Sequence, residues 1–324
     1  MQAIEVREFG GPEVLVAADV PSPEPGPGQV RVALAAVGVN FVEVYHREGR
    51  VDRPVPFVPG TEGAGTVSAV GAGVDGVRVG DRVASVDLAG SYAAEALVAA
   101  DRVVAVPTGV ETDIAAAALL QGLTAHYLLH DSYPVRPGDT VLVHAAAGGM
   151  GLLLTQLATR LGATVIGTVS TSDKERLARE AGAAEVIRYT ERDIGDEVGR
   201  ITGGVGVAGV YDGVGRDTFD ASLSCLRPRG TLGLYGAASG RVPPFDPQRL
   251  EPAGSVFLTR PTLRHHIVER SELDRRASDL FGWIESGELA VRVHERYPLA
   301  DARRAHEDLQ ARRTTGKLLL VPSS

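Results

Sequence analysis

The chain has 324 residues, 44% of them hydrophobic and 23% charged, the balance of a globular protein of about two domains. Its net charge of −8 argues against a general nucleic-acid-binding surface, and a single cysteine, Cys225, excludes an internal disulfide and any multi-cysteine zinc site. No apolar run reaches the length of a membrane span, and Met1 to Gly10 holds Glu5, Arg7 and Glu8 where a signal peptide would be apolar, so a cytoplasmic protein is expected.

In chain order, the first hundred or so residues read as short strands broken by Gly, Pro and Asp, including Val30 to Val37, Ala64 to Val70 and Arg82 to Val86. Such spacing suggests a partly open barrel. Asn40 to Glu48 has the look of a short helix, with Asn40 as a candidate cap. Ala115 to His130 is an apolar helix whose composition would bury it.

The chain then changes character. Val141 to Val143 is an apolar run too short for a helix, bounded by Pro137-Gly138, and reads as a buried strand. Small residues follow from Ala145 to Gly151. Next, Met150, Leu153, Leu154, Leu157, Ala158 and Leu161 recur on one helical face, Gly162 offers a C-cap, and Thr164 to Val169 is a second strand. Further strands are expected at Glu185 to Tyr189, Val207 to Asp212, Thr231 to Tyr235 and Ser255 to Arg260. Helices are expected at Asp173 to Ala181, behind a capping-box pattern Ser172 to Glu175, and at Glu191 to Ile201 and Asp217 to Leu226. This alternation predicts an α/β doubly wound parallel sheet. Pro243 to Pro252 is expected as loop. Helices at Ser271 to Ser286 and Ala300 to Ala311, and a strand at Leu318 to Val321, close the chain.

The strand–turn–helix at Val141 to Leu161 carries chemistry. A helix N-terminus presents unpaired N–H groups and a partial positive charge, so a pyrophosphate can sit there if no side chain blocks it. Gly148 and Gly151 match the second and third glycines of the dinucleotide fingerprint, and Ala146 replaces the first. An NAD site usually has an acid about 20 residues further on, to hold the ribose hydroxyls. Here that place is Ser170, with Lys174 just beyond. A small neutral residue beside a cation leaves room and charge for a 2′-phosphate, which favours NADPH. A solvated lysine is the plainer alternative, although the helix dipole disfavours a cation in a first turn.

Several motifs in order then resemble one family. They are Phe9-Gly10-Gly11-Pro12-Glu13-Val14-Leu15, Gly38-Val39-Asn40-Phe41, Gly60-Thr61-Glu62, Gly80-Asp81-Arg82-Val83, His144-Ala145-Ala146-Ala147-Gly148-Gly149-Met150-Gly151, Tyr211-Asp212-Gly213-Val214-Gly215, Thr259-Arg260-Pro261-Thr262 and Tyr297-Pro298-Leu299. The chain is similar to the zeta-crystallin-like quinone oxidoreductases, the zinc-free branch of the medium-chain dehydrogenases/reductases. The resemblance implies a GroES-like partly open β-barrel domain, residues 1–121 and 261–324, interrupted by a Rossmann NADPH-binding domain, residues 122–260. It implies a homodimer paired through sheet edges, with Ser255 to Arg260 as the edge strand.

The resemblance also implies the site. Lys174 and Tyr189 would flank the 2′-phosphate beside Ser170, below the turn of Gly148, Gly149, Met150 and Gly151. Thr124 would touch the cofactor, Gly236, Phe257 and Leu258 would line the nicotinamide, and Arg312 or Lys317 would reach it from the C-terminal segment. Asn40 and Tyr45 would be the polar catalytic residues. Where zinc relatives have His-Glu, this chain has Thr61-Glu62, so no metal is expected. The eight histidines are expected in surface or structural roles. Two departures stand out: Arg50-Val51-Asp52-Arg53 after Gly49, where relatives often have an aromatic, and Ala237-Ala238 after Gly236, where they often have Asn and Ser. The expected activity is transfer of reducing equivalents from NADPH to a quinone. Open alternatives are reduction of enones, alkenals or enoyl thioesters, for which Arg50 and Arg53 would meet an anionic substrate, and a non-catalytic NADPH-binding protein of crystallin or RNA-binding type.

Overall fold

The structure, a computed structural model, describes residues 1–323. The chain folds as two units, Met1–Leu120 together with the segment from Val268 onward, and Gln121–Ile267.

The first unit is built on mostly antiparallel strands, with Val293–Pro298 pairing parallel to Lys317–Val321. Its main sheet runs Val293–Pro298, Lys317–Val321, Gln29–Val39, Gly63–Val70, Arg82–Ser85 and Val104–Ala105, and Glu95–Ala99 also pairs with the long strand Gln29–Val39. Alternation explains that long strand: Val30, Val32 and Leu34 point into the core while Ala33 and Ala35 are exposed. Its second half, Ala36 to Val39, is buried on both faces. A separate hairpin, Gln2–Val6 with Leu15–Asp19, adds Ile4, Val6 and Leu15 to the same core. Helices Phe41–Arg47, Arg270–Glu285 and Ala302–Gln310 also belong to this unit.

The second unit has a wholly parallel six-stranded sheet in the order Glu185–Arg188, Thr164–Val169, Thr140–Val143, Val207–Asp212, Leu226–Leu234, Phe257–Thr259. The central strands are buried on both faces and read as unbroken apolar runs, as a helix-covered parallel sheet requires. The order reverses between Thr140–Val143 and Val207–Asp212, which opens a crevice at the carboxyl ends of those strands. Helix Gly149–Arg160 buries Leu153, Leu154, Leu157 and Ala158. It ends in a Schellman turn: Ala163 N–H donates to Ala158 O, Gly162 N–H to Thr159 O, and Gly162 sits at φ 84°.

The elements differ from expectation mostly at their ends, and side chains give the reason. Thr171, not Ser172, caps the helix Ser172–Glu180, its Oγ1 accepting from Lys174 N–H at 3.3 Å. Asp193 caps Ile194–Ile201, so the expected start at Glu191 is three residues early. The helix expected from Asp217 to Leu226 is only Phe219–Ser224, because Leu226 already pairs with Val207 in the next strand. The edge strand shortens to Phe257–Thr259, since Ser255 takes a positive φ and Val256 turns into the core. The apolar helix is Thr112–Tyr127 and then widens into a π-helical turn, Leu128–Ser132. Pro247–Leu250, expected as loop, forms a short 3-10 helix capped by Asp246.

Candidate functional site

At the crevice of the second unit, the turn after Thr140–Val143 is pinned by its backbone: His144 N–H donates to Tyr211 O and Ala146 N–H to Thr168 O. Helix Gly149–Arg160 begins at once, with Gly148 as its N-cap residue. A side chain at Gly151 would strike the Ala145 carbonyl and the Ala146 backbone, so only glycine permits this helix–strand approach. At Gly148 a Cβ would meet only the Ala145 oxygen, at 3.2 Å. Glycines at 148, 149 and 151 thus put no side chain of their own on the helix N-terminus, where a pyrophosphate would sit, and the Gln121 side chain lies against Gly149. Met150 is half-buried.

The structure brings Ser170, Lys174 and Tyr189 together. Ser170 follows Thr164–Val169 and Tyr189 follows Glu185–Arg188, and these adjacent strands pair Val169 with Arg188. Tyr189 N–H donates to Val169 O, and Tyr189 is exposed. Lys174 Nζ approaches Ser170 Oγ at 3.4 Å. Among the described residues no carboxylate bonds Ser170, so the end of the strand is free of the acid that would hold ribose hydroxyls. The neighbouring Arg188 is paired with Glu175 and Glu191.

A buried polar chain lies beneath this surface. Ser222 Oγ–H donates to Asp212 Oδ2 at 2.8 Å, because a carboxylate only accepts. Ser222 Oγ therefore accepts from His144 Nε2–H at 3.0 Å, and the other ring nitrogen, Nδ1, accepts from Thr168 Oγ1–H at 3.1 Å. Burial lowers the His144 pKa, against a smaller raising effect of Asp212, so the ring is neutral and has a single tautomer. Thr218 Oγ1 also donates to Asp212, whose Oδ1 accepts from Val214 N–H and Gly215 N–H. The glycine-rich turn 213–215 is thus held by one carboxylate. Gly236 lies against it, so closely that a Cβ there would strike Gly213 O.

The first unit holds a second buried cluster. Lys317 Nζ donates to Glu62 Oε2 at 2.6 Å and to Asn40 Oδ1 at 2.6 Å, and Asn40 Nδ2 donates to Glu62 Oε2 at 2.9 Å. The other Glu62 oxygen accepts from Leu120 N–H. Lysine only donates and a carboxylate only accepts, so chemistry alone fixes which way the Asn40 amide points. Asn40 is the N-cap residue of Phe41–Arg47, and its own N–H donates to Glu43 Oε2 at 2.8 Å. Glu43 is fully buried with Oε1 unpartnered, and burial pushes its pKa up to about 8, against the lowering effects of Lys317 and the Asn40 N–H. Below it, Arg47 Nη1 donates to His306 Nδ1, so the ring carries its proton on Nε2 and donates to Tyr92 Oη at 2.9 Å. Desolvation and the Arg47 charge depress the His306 pKa to about 3.

Lys317, expected to reach a cofactor, is only 2% exposed, and its ammonium is engaged by Glu62 and Asn40. Arg312 is exposed, at φ 57°, in the turn before that strand. Arg50 is paired with Glu48 at 2.6 Å and lies 5.4 Å from the centre of the half-buried Tyr45 ring; Arg53 covers Phe57. Thr124 is buried in the second unit, Phe257 is exposed on the edge strand, and Leu258 is half-buried against the core. Among the described residues no three His, Cys, Asp or Glu side chains are grouped to hold a metal, and no helix is long and apolar enough to cross a membrane. Sequence reasoning missed both buried networks. The available signals were a lysine heading the apolar strand Lys317–Val321, and polar residues at the ends of apolar strands, His144, Thr168 and Asp212.

A parallel Rossmann sheet with a glycine turn at its switch point in one unit, and a GroES-like fold in the other, are the parts of a nucleotide-dependent oxidoreductase. The family described as alcohol dehydrogenase GroES-like domain matches residues 26–132, and that described as zinc-binding dehydrogenase matches residues 149–282. A quinone oxidoreductase of Pseudomonas aeruginosa is 44% identical over 98% of this chain and 99% of its own length. A 2-haloacrylate reductase of Burkholderia is 43% identical over the whole of both chains. The structure of a mycobacterial protein complexed with NADPH superposes with a TM-score of 0.97 at 54% identity, over 99% of this chain and 100% of that one. The chain belongs to the quinone oxidoreductase family of the medium-chain dehydrogenases/reductases.

Proposed function

We propose that this protein is an NADPH-dependent reductase that passes reducing equivalents to a quinone. One observation carries the cofactor choice: Ser170 stands where an acid would select NADH, and Lys174 and Tyr189 converge on it. Gly148, Gly149, Met150 and Gly151 would hold the pyrophosphate, Ser170, Lys174 and Tyr189 the 2′-phosphate, and Gly236 would leave room for the nicotinamide. Thr124, Phe257 and Leu258 complete the proposed contacts. Of the two C-terminal cations, Arg312 remains a candidate; the Lys317 charge is used elsewhere.

When bound, the nicotinamide supplies the reducing equivalents. The chain supplies orientation and a donor for the oxygen that gains charge. Asn40 suits that role: one amide hydrogen is bonded to Glu62 and the other has no acceptor among the described residues. Tyr45 is the second candidate. A hydroquinone anion is stable enough to take its proton from water, so no strong general acid is required. The protein is proposed to be a homodimer, and its location is proposed to be the cytoplasm.

The 2-haloacrylate reductase relative favours a second reading, reduction of a conjugated double bond. Following NADPH oxidation with a benzoquinone, an alkenal, an α,β-unsaturated carboxylate and an acyl thioester separates the two. Turnover with the quinone at the highest kcat/KM supports the first. Absence of turnover with the quinone overturns it, and turnover with none of them assigns a binding role.

A further inference from the structure

The buried chain around His144 touches three segments that one cofactor would use. Thr168 holds the glycine turn through its carbonyl, which accepts from Ala146 N–H, and lies two residues before Ser170. His144 is the residue directly before the turn. Asp212, at the other end, fixes the turn 213–215 against which Gly236 packs. The four members stand on three adjacent strands and one helix: Thr164–Val169, the end of Thr140–Val143, the end of Val207–Asp212, and Phe219–Ser224. Every hydroxyl and ring proton points the same way, from Thr168 through His144 and Ser222 to Asp212. Thr168, His144, Ser222 and Asp212 are all at most 1% exposed.

We infer that Thr168, His144, Ser222 and Asp212 are positioning residues for NADPH: their chain sets the spacing of the βα turns that receive the cofactor. Fold stability alone does not require this arrangement. Well-packed apolar side chains of the same volume often fill such a layer about as favourably, whereas a fully satisfied polar chain holds one geometry. Directionality matters here. A chain of donors ending on a carboxylate has one low-energy arrangement, so neighbouring strand ends cannot slide without breaking a bond inside a dry layer. An apolar layer would permit that slide.

The test compares two substitutions of one residue. Thr168→Val keeps the shape and removes the hydroxyl that donates to His144 Nδ1; Thr168→Ser keeps the hydroxyl and removes a methyl. NADPH and NADH dissociation constants are measured by fluorescence titration with no acceptor present, and melting temperatures are recorded alongside. Thr168→Val is expected to weaken both cofactors by a common factor of about five or more. Thr168→Ser is expected to bind like the parent chain even where it melts lower. Equal weakening by both substitutions would show that affinity follows stability, and no weakening by Thr168→Val would show that the chain positions nothing; either overturns the inference. Should Thr168→Val fail to fold, Ser222→Ala breaks the same chain one link further on and is read by the same rule. The measurement needs no acceptor, so it stands whether or not a quinone is the substrate.

Discussion

Replacing Lys317 by methionine isolates the buried charge pair of the first unit. Lys317 and Glu62 have side chains 1% and 0% exposed, and their ion pair is 2.6 Å long. The substitution keeps most of the side-chain volume. It leaves the Glu62 carboxylate with only Asn40 Nδ2 and Leu120 N–H as donors. An uncompensated buried charge typically costs about 3–5 kcal/mol, much of it desolvation that the partner no longer offsets. Chemical unfolding followed by tryptophan emission measures this, since Trp283 is the sole tryptophan and lies in helix Arg270–Glu285 of the first unit. A probe confined to one unit also avoids treating a two-unit chain as a single transition. The double variant Glu62→Gln with Lys317→Met has no lone charge and is expected to recover most of the loss. A single-variant loss below about 1 kcal/mol, or a double-variant loss equal to the sum of the singles, would refute the reasoning.

Other outcomes follow from single groups. Lys174→Ala is expected to weaken NADPH about tenfold and to leave NADH nearly unchanged, as measured by titration; equal loss for both would move the phosphate elsewhere. For Glu43, the folded group keeps its proton up to about pH 8 while the unfolded group releases it near the ordinary glutamate value of 4.5. The folded state therefore binds more protons across that window, so this group makes stability fall as pH rises from 4.5 to 8 and adds no such cost below it. Glu43→Gln should flatten the slope of stability against pH, removing a fall on the order of a few kcal/mol accumulated between pH 4.5 and 8, and identical slopes in both proteins would contradict the assignment. Arg50→Ala should change KM equally for an anionic and a neutral quinone, because Glu48 already pairs the charge; a selective rise for the anionic one at low salt would show otherwise. Dialysis against a chelator is expected to leave turnover intact, and activity lost that way and restored by zinc would contradict the reading of Glu62 as a partner of Lys317.

How far the sequence reached depends on which force governs each feature. Strand cores were legible because burial on both faces forces unbroken apolar runs, as in Val207 to Tyr211. The turn from Ala145 to Gly151 was legible because close backbone approach leaves glycine no substitute. Boundaries were less so. Whether Thr171 or Ser172 caps a helix depends on which hydroxyl meets the Lys174 N–H, and both residues suit a cap. The edge strand was overestimated because Ser255 takes a positive φ, which the local sequence does not announce, and Val256 turns into the core. Lys317 was misread for a related reason. A lone lysine at a strand start is ordinarily solvated, and only the pairing of Lys317–Val321 with Gln29–Val39 brings it to Asn40 and Glu62, which lie hundreds of residues earlier.

Glu62 joins the question of metal to that of catalysis. A buried carboxylate needs a cation, and in this chain Lys317 provides it through a covalently fixed ammonium. The same ammonium accepts no proton from Asn40 and can only donate to its carbonyl, so the amide nitrogen must turn toward Glu62. One amide hydrogen is then fixed and the second has a defined direction. The cation that satisfies Glu62 is therefore also the group that orients Asn40, and removing it should alter turnover even where the variant remains folded.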